Sequence, residues 1–242
     1  MNWHQDGVSW NSPALFGRRM HVNIHGHGGA RVIAFPTSKG WNVEWSDRGM
    51  LHEVGEQIAT GRLQVWAVPN VDEESWYADW KRVEDRADWA LRYDRYLYDE
   101  LLPVMDRTNG NRFTIATGAS FGGFHALSFG LRHPDRVQRI LAMSALCDIR
   151  RFTGGWLDAT TWLLNPVTFI PREHDAGRLA LLRRQDIILA IGRDDSLARE
   201  NRDFSRALWD RGIGNAHREW DGWAHDWGDW RRMLRHYVSG HD

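Results

Sequence analysis

The chain has 242 residues, which is enough for one α/β domain with a full hydrophobic core. Its formal net charge is −1 and its basic residues are scattered, which argues against nucleic acid or a membrane surface as a partner. The first seven residues lack the basic and apolar regions of a signal peptide, and no apolar run approaches membrane-spanning length. The single cysteine, Cys147, excludes an intrachain disulfide and favours a cytoplasmic location.

Strands and helices alternate along the sequence, which predicts an α/β fold with a mainly parallel central sheet and helices on both faces. We expect the first two strands, 20–25 and 31–35, to form an antiparallel hairpin around a glycine-rich turn. The later predicted elements are helix 51–60, strand 63–68, helix 78–102, strand 112–117, helix 121–131, strands 139–145 and 186–191, helix 196–211, a strand around 218 and helix 226–237. No repeat or linker interrupts this order, so one domain, 1–242, is predicted.

Four polar residues alternate along the first of these strands: His21, Asn23, His25 and His27. A strand would place them on one face, and imidazoles on one face can bind Zn²⁺ or Ni²⁺. No carboxylate or cysteine completes a ligand set, so we expect no metal here. The histidines are then predicted to form the solvated side of an edge hairpin.

The most informative motif is Gly118-Ala119-Ser120-Phe121-Gly122, which lies between strand 112–117 and helix 121–131. Glycine two residues before and after a serine is typical of a nucleophile elbow, because the turn leaves no room for Cβ atoms there. A phosphate-binding loop would need Gly-Lys-Ser/Thr next, which is absent. We therefore predict Ser120 as the nucleophile, with a structural turn as the alternative.

The general base is predicted from chain order, since the partners of such a serine follow it as Asp or Glu and then His. Of the late histidines, His217 falls in a predicted strand, His236 in the last helix and His241 next to the chain end. His225 falls in the loop between that strand and that helix, where a base can move freely. His225 is therefore the predicted base.

The acid is predicted at the turn after the buried strand 186–191. Asp195 lies three residues past Gly192, a common position for the acid of such a triad, and is preferred to Asp194. Asp148 is a more distant third candidate. Capping of the following helix is the alternative role for Asp195.

Three segments together resemble the esterase D-type "putative esterase" family of α/β-hydrolases: 118–126, 191–195 and 222–227. Segments 35–38 and 71–77 are also similar to bacterial members, and the motifs arrive in the family's order over about residues 20–237. The resemblance implies an α/β-hydrolase fold and an acyl-serine mechanism with Ser120, Asp195 and His225 as the triad. It implies no cofactor.

The oxyanion hole needs two backbone donors. One is predicted to be the N–H of Phe121, directly after the nucleophile. The other is predicted in the loop after strand 31–35, at Thr37, Ser38 or Lys39.

Tryptophans in loops at the carboxyl edge of the sheet are the predicted substrate-binding residues: Trp76, Trp156 and Trp223. Segment 148–171 lies where hydrolases insert caps, and we expect it to form a short partial lid.

The sequence thus predicts a serine carboxylesterase that cleaves small acyl esters through a covalent acyl-serine. The alternatives are an acyltransferase with the same triad and a non-catalytic α/β-hydrolase scaffold. A small-molecule ester is the expected partner. A homo-oligomer is compatible with the sequence, which carries no signal for one.

Overall fold

A computed structural model describes residues 3–240. Within them, eight strands form one sheet in the order β1-β2-β4-β3-β5-β6-β7-β8. The strands are β1 (Gln5–Ser12), β2 (Arg18–His25), β3 (Ala30–Phe35), β4 (Leu63–Ala67), β5 (Thr114–Ala119), β6 (Arg139–Met143), β7 (Asp186–Gly192) and β8 (Ala216–Trp220). Strands β3 to β8 are parallel, and β2 joins β4 antiparallel. This architecture confirms the predicted α/β-hydrolase fold with an N-terminal antiparallel hairpin.

The helices cover both faces of the sheet. They are α1 (Glu44–Asp47), α2 (Met50–Glu53), α3 (Gly55–Ala59), α4 (Val83–Arg95), α5 (Leu102–Thr108), α6 (Phe121–Arg132), α7 (Arg150–Thr153), α8 (Ala159–Leu164), α9 (Pro166–Phe169), α10 (Ala176–Leu182), α11 (Ala198–Asp210) and α12 (Trp227–Tyr237). A π-helical segment, Tyr96–Leu101, joins α4 to α5, and a 3-10 turn, Ile170–Arg172, follows α9. No helix within residues 3–240 is long and apolar enough to cross a membrane.

The hairpin is made by different strands from those predicted. β1 pairs antiparallel with β2, from Gln5 opposite His25 to Ser12 opposite Arg18. β3 lies instead between β4 and β5 and is parallel to both. The predicted pairing of 20–25 with 31–35 is therefore wrong. The glycine-rich connection crosses the start of β4, and a Cβ on Gly29 would lie 2.1 Å from the Arg62 carbonyl oxygen.

Strand alternation builds two hydrophobic layers. Ile33 and Phe35 of β3 belong to the layer that includes residues of α4, α5, α6, α10 and α11, while Val32 and Ala34 belong to the layer that includes residues of α1, α2, α3 and α12. Such two-sided burial is typical of parallel strands. All the parallel strands point their carboxyl ends to one edge, so the loops after β3, β5, β6, β7 and β8 meet there.

The histidine face of β2 differs from the prediction. His21 and His27 are exposed, but Asn23 is buried and His25 is only 1% exposed, and β1 rather than β2 takes the edge position of the sheet. The prediction of a solvated edge is wrong for His25. Neither of its ring nitrogens has a hydrogen-bond partner among residues 3–240, and burial lowers the pKa of His25. Among the described residues, no three His, Cys, Asp or Glu side chains are grouped to hold a metal ion.

Candidate active site

Ser120 occupies the turn between β5 and α6 in a backbone conformation that residues other than glycine rarely adopt. Its φ is 55° and its ψ is −116°. Such a conformation costs about 1–3 kcal/mol and persists only where the surroundings impose it. Here the Ser120 N–H donates to the Met143 carbonyl at 2.9 Å, and the Ser120 carbonyl accepts from the Leu146 N–H at 3.2 Å. The turn is therefore held by the end of β6, and its geometry is that of a nucleophile elbow.

Two glycines make this turn possible. A Cβ on Gly118 would lie 2.4 Å from backbone atoms of Gly122, and a Cβ on Gly122 would lie 2.4 Å from the Pro36 carbonyl oxygen. Both clashes are with backbone, which cannot move aside cheaply. The loop after β3 consequently packs directly against the first turn of α6.

His225 and Asp195 are brought together by the loops after β8 and β7. His225 Nδ1 lies 2.7 Å from Asp195 Oδ2, and the Asp195 side chain is fully buried. Asp195 Oδ1 accepts from the Leu197 N–H at 2.9 Å. The imidazole is therefore oriented by a fixed carboxylate, and its Nε2 is the nitrogen left for proton transfer. Within residues 3–240 Ser120 Oγ has no hydrogen-bond partner, and catalytic hydrogen bonds often form only when substrate binds.

The neighbouring aspartate has a different environment. Asp194 is exposed, and its backbone N–H donates to the Gly222 carbonyl at 3.0 Å. Asp148 pairs with Arg150 and accepts from Asn165 at 3.0 Å. Of the three acids considered from sequence, only Asp195 contacts His225, so the geometry favours Asp195.

The loop that carries His225 is anchored by Ser144, a residue that the sequence reasoning missed. Ser144 follows β6, is fully buried and has φ 44°. Its hydroxyl donates to the Ala224 carbonyl at 2.9 Å and accepts from Trp230 Nε1 at 3.1 Å. The Trp230 ring also meets the His225 ring edge to face at 5.1 Å. One hydroxyl thus links the end of β6 to both sides of the histidine loop.

The three candidates for the second oxyanion donor are not equivalent. The Thr37 N–H donates to Glu44 Oε2 at 2.7 Å, and the Lys39 N–H donates to Asp72 Oδ2 at 2.9 Å. The Ser38 N–H has no partner within residues 3–240, and Ser38 is exposed. The occupied N–H argues against Thr37 and leaves Ser38 as the candidate beside Phe121.

Ser38 is connected through aromatic residues to α6, the nucleophile helix that begins directly after Ser120. Tyr77 donates its hydroxyl hydrogen to Ser38 Oγ at 2.6 Å. The Tyr77 ring lies 5.1 Å from Phe121 and 4.9 Å from Phe152, and Phe121 and Phe152 lie 5.2 Å apart. Phe152 belongs to segment 148–171, so this segment reaches the residue next to Ser120.

The tryptophans predicted to bind substrate fall into two groups. Trp156 is 49% exposed and Trp223 is 52% exposed, and the Trp223 ring centroid lies 5.9 Å from that of His225. Trp76 is only 2% exposed and packs among Ala87 and Phe124. This burial argues against contact between Trp76 and a substrate.

The sheet order, the strained serine after β5 and the histidine after β8 together define an α/β-hydrolase. A family model described as "Putative esterase" matches residues 12–239, so the chain belongs to this esterase family.

The chain is similar to one curated protein in sequence and to solved structures in fold. An acetyl esterase from Caldicellulosiruptor saccharolyticus is 29% identical over 139 residues, 50% of this chain and 51% of that protein. The chain therefore spans about half the length of the curated relative it matches. A ferulic acid esterase structure has a TM-score of 0.72 at 22% identity and covers 97% of this chain and 96% of its own. An S-formylglutathione hydrolase from Agrobacterium tumefaciens has a TM-score of 0.74 at 15% identity, with 98% and 94% covered.

Proposed function

We propose that the protein is a serine carboxylesterase in which Ser120 is the nucleophile, His225 the general base and Asp195 the residue that orients the imidazole. The observation that carries the proposal is the 2.7 Å contact between His225 and buried Asp195 at the sheet edge where Ser120 forms its strained turn. Membership of the esterase family supports the same reaction class.

In the acylation step His225 Nε2 takes the Ser120 hydroxyl proton as Oγ attacks the ester carbonyl carbon. The tetrahedral oxyanion accepts hydrogen bonds from the N–H groups of Phe121 and Ser38. The imidazolium is stabilised by Asp195 and then donates its proton to the departing alkoxide. The products of this step are an alcohol and an ester of Ser120.

In the deacylation step water replaces the alcohol. His225 takes a proton from the water, the resulting tetrahedral adduct uses the same two N–H groups, and the proton returns to Ser120 Oγ as the acid leaves. Every proton moves between the imidazole and oxygen, so the step needs no cofactor.

The proposed substrates are small-molecule esters with short acyl groups. The name of the curated relative, an acetyl esterase, makes an acetyl ester the first choice. The exposed rings of Trp156 and Trp223 are proposed to contact the bound ester, and segment 148–171 to act as a partial lid. The cytoplasmic location expected from the single cysteine is part of this proposal.

The decisive test uses a fluorophosphonate probe and p-nitrophenyl esters of increasing chain length on wild type and Ser120→Ala. We expect labelling and turnover in wild type, loss of both in the variant, and fastest turnover with the acetate. Folded wild-type protein that neither labels nor turns over would contradict the proposal and favour the scaffold alternative. An excess of transesterification over hydrolysis with added alcohol would instead indicate an acyltransferase.

A further inference from the structure

A second histidine–aspartate pair lies beneath the candidate site and has no part in the mechanism above. His125 Nε2 lies 2.8 Å from Asp72 Oδ1. Asp72 is fully buried and His125 is 8% exposed. A buried carboxylate is costly unless its oxygens accept hydrogen bonds, so the use of the second oxygen matters.

That second oxygen holds the loop after β3, residues 36–40, which we call the oxyanion loop because it carries the Ser38 N–H. Asp72 Oδ2 accepts from the Lys39 N–H at 2.9 Å, and Lys39 has φ 56°, a left-handed conformation uncommon for a residue with a Cβ. The Asp72 N–H in turn donates to Asn70 Oδ1, and Asn70 Nδ2 donates to the Thr37 carbonyl, both at 3.2 Å. The residues on both sides of Ser38 are therefore held from below.

The other end of the connection lies on the nucleophile helix. His125 is on α6, the helix that begins immediately after Ser120. Its ring is enclosed by aromatic neighbours, stacked on Phe35 at 5.8 Å and edge to face with Tyr93 at 5.4 Å and Phe121 at 5.2 Å. Such packing leaves the imidazole little freedom to turn away from Asp72.

The geometry points to Asp72 and His125 as positioning residues that couple the nucleophile helix to the oxyanion loop and hold the Ser38 N–H in place for the oxyanion. The inference rests on the proposed esterase function. An oxyanion hole works because its N–H donors are fixed in place before the reaction and make no hydrogen bond to acceptors within the protein. The neighbouring Lys39 N–H donates to Asp72, whereas the Ser38 N–H has no hydrogen-bond partner in the described chain.

The chain provides a matched control at the other end of the same helix. His133 Nε2 lies 3.1 Å from both carboxylate oxygens of Asp94, whose side chain is 9% exposed and also pairs with Arg132 at 3.0 Å. His133 also packs against aromatic rings, Tyr98 at 4.4 Å and Phe129 at 4.8 Å. The hydrogen bonds and ring contacts of His133 and Asp94 within residues 3–240 do not reach the loop after β3. His125→Phe and His133→Phe therefore remove the same donor from two comparable pairs, of which only the first contacts that loop.

The main test measures kcat and KM for p-nitrophenyl acetate in these two variants. We expect His125→Phe to lower kcat by about 10- to 100-fold, because a donor displaced by about 1 Å costs about that much, with KM changed less than about threefold. Inhibition by a boronic acid, which forms a tetrahedral serine adduct, should weaken in parallel. His133→Phe should keep kcat within about twofold. Equal kcat in both folded variants would overturn the inference.

A substitution at Asp72 separates hydrogen bonding from burial. Asp72→Asn can still accept from the Lys39 N–H and donate to the other tautomer of His125, so its kcat should remain within about tenfold of wild type. Asp72→Leu removes both acceptors and should lose as much as His125→Phe. If Asp72→Leu does not fold, His125→Phe carries the test. Full activity in folded Asp72→Leu would contradict the positioning role.

A readout independent of activity distinguishes this inference from the proposed function. Amide hydrogen exchange over residues 36–40 should accelerate more than about tenfold in His125→Phe and stay at the wild-type rate in Asp72→Asn and His133→Phe. Unchanged exchange in His125→Phe would refute the coupling even in an active enzyme. Wild type that fails to label with fluorophosphonate would refute the esterase proposal, while loop exchange would still test the coupling.

Discussion

Replacement of Asp195 by asparagine tests the proposed acid with almost no change in size. Its carboxylate is buried and 2.7 Å from His225 Nδ1. Unit charges about 4 Å apart at an effective dielectric constant of about 20 interact by about 4 kcal/mol, which is about three powers of ten in rate if the imidazolium forms only in the transition state. Asparagine also stabilises the wrong imidazole tautomer. We therefore expect kcat to fall by about 10³ to 10⁴.

The matched control is Asp194→Asn, the same chemical change one residue away. Asp194 is exposed and holds the loop through its backbone N–H, which the substitution keeps. Its kcat for p-nitrophenyl acetate should stay within about twofold of wild type, measured with thermal melting to show that both variants fold. Asp195→Asn with more than about a tenth of wild-type kcat, or an equal loss in Asp194→Asn, would refute the reasoning.

Three other regions give predictions that purified variants can test. Gly122→Ala should lower the free energy of unfolding by at least about 2 kcal/mol in urea titrations, because the new Cβ would lie 2.4 Å from a backbone carbonyl oxygen. His25→Leu should change the pH dependence of stability. Burial lowers the pKa of His25, so below about pH 6.5 the unfolded wild type binds more protons than the folded protein, and the free energy of unfolding falls as the pH falls. The leucine variant lacks this titration, so its stability relative to wild type should increase steadily as the pH is lowered from about 6.5 to 5. Ser144→Ala should lower kcat about tenfold with KM nearly constant, because the loop carrying His225 loses its buried hydrogen bonds.

Two of these predictions have a control variant. Gly110→Ala adds a Cβ with no heavy atom within 4 Å and should leave unfolding within about 0.5 kcal/mol of wild type. Thr117 lies on the strand leading to Ser120, and its buried hydroxyl has no hydrogen-bond partner within residues 3–240, so Thr117→Val should keep full kcat. A pH-independent difference between His25→Leu and wild type, or equal kcat in Ser144→Ala and Thr117→Val, would show the physical reasons to be wrong.

The sequence was sufficient to predict a feature where the groups that determine it are neighbours in the chain. The turn at Ser120 is specified locally by Gly118, because a Cβ there would lie 2.4 Å from backbone atoms of Gly122; the clash that requires glycine at 122 is with the distant Pro36 carbonyl oxygen. Residue periodicity predicted the alternation of strands and helices and thus a mainly parallel α/β sheet, and the motif resemblance implied the α/β-hydrolase fold. Helix ends were less certain: predicted helix 78–102 begins at Val83, passes through the π-helical segment Tyr96–Leu101 and continues to Thr108, and 51–60 is two short helices.

The tertiary structure decided what depends on groups far apart in the chain. The hairpin partner of β2, the burial of Trp76 and the burial of His25 follow from which surfaces cover them, which no local pattern contains. The same holds at the site. Glu44 occupies the Thr37 N–H and Asp72 occupies that of Lys39, which leaves Ser38 as the free donor in the described loop. Hydrogen-bond partners depend on which groups lie close together in the folded chain. The sequence therefore predicted the chemistry of the site, but only the tertiary structure determined which N–H groups pair with which acceptors.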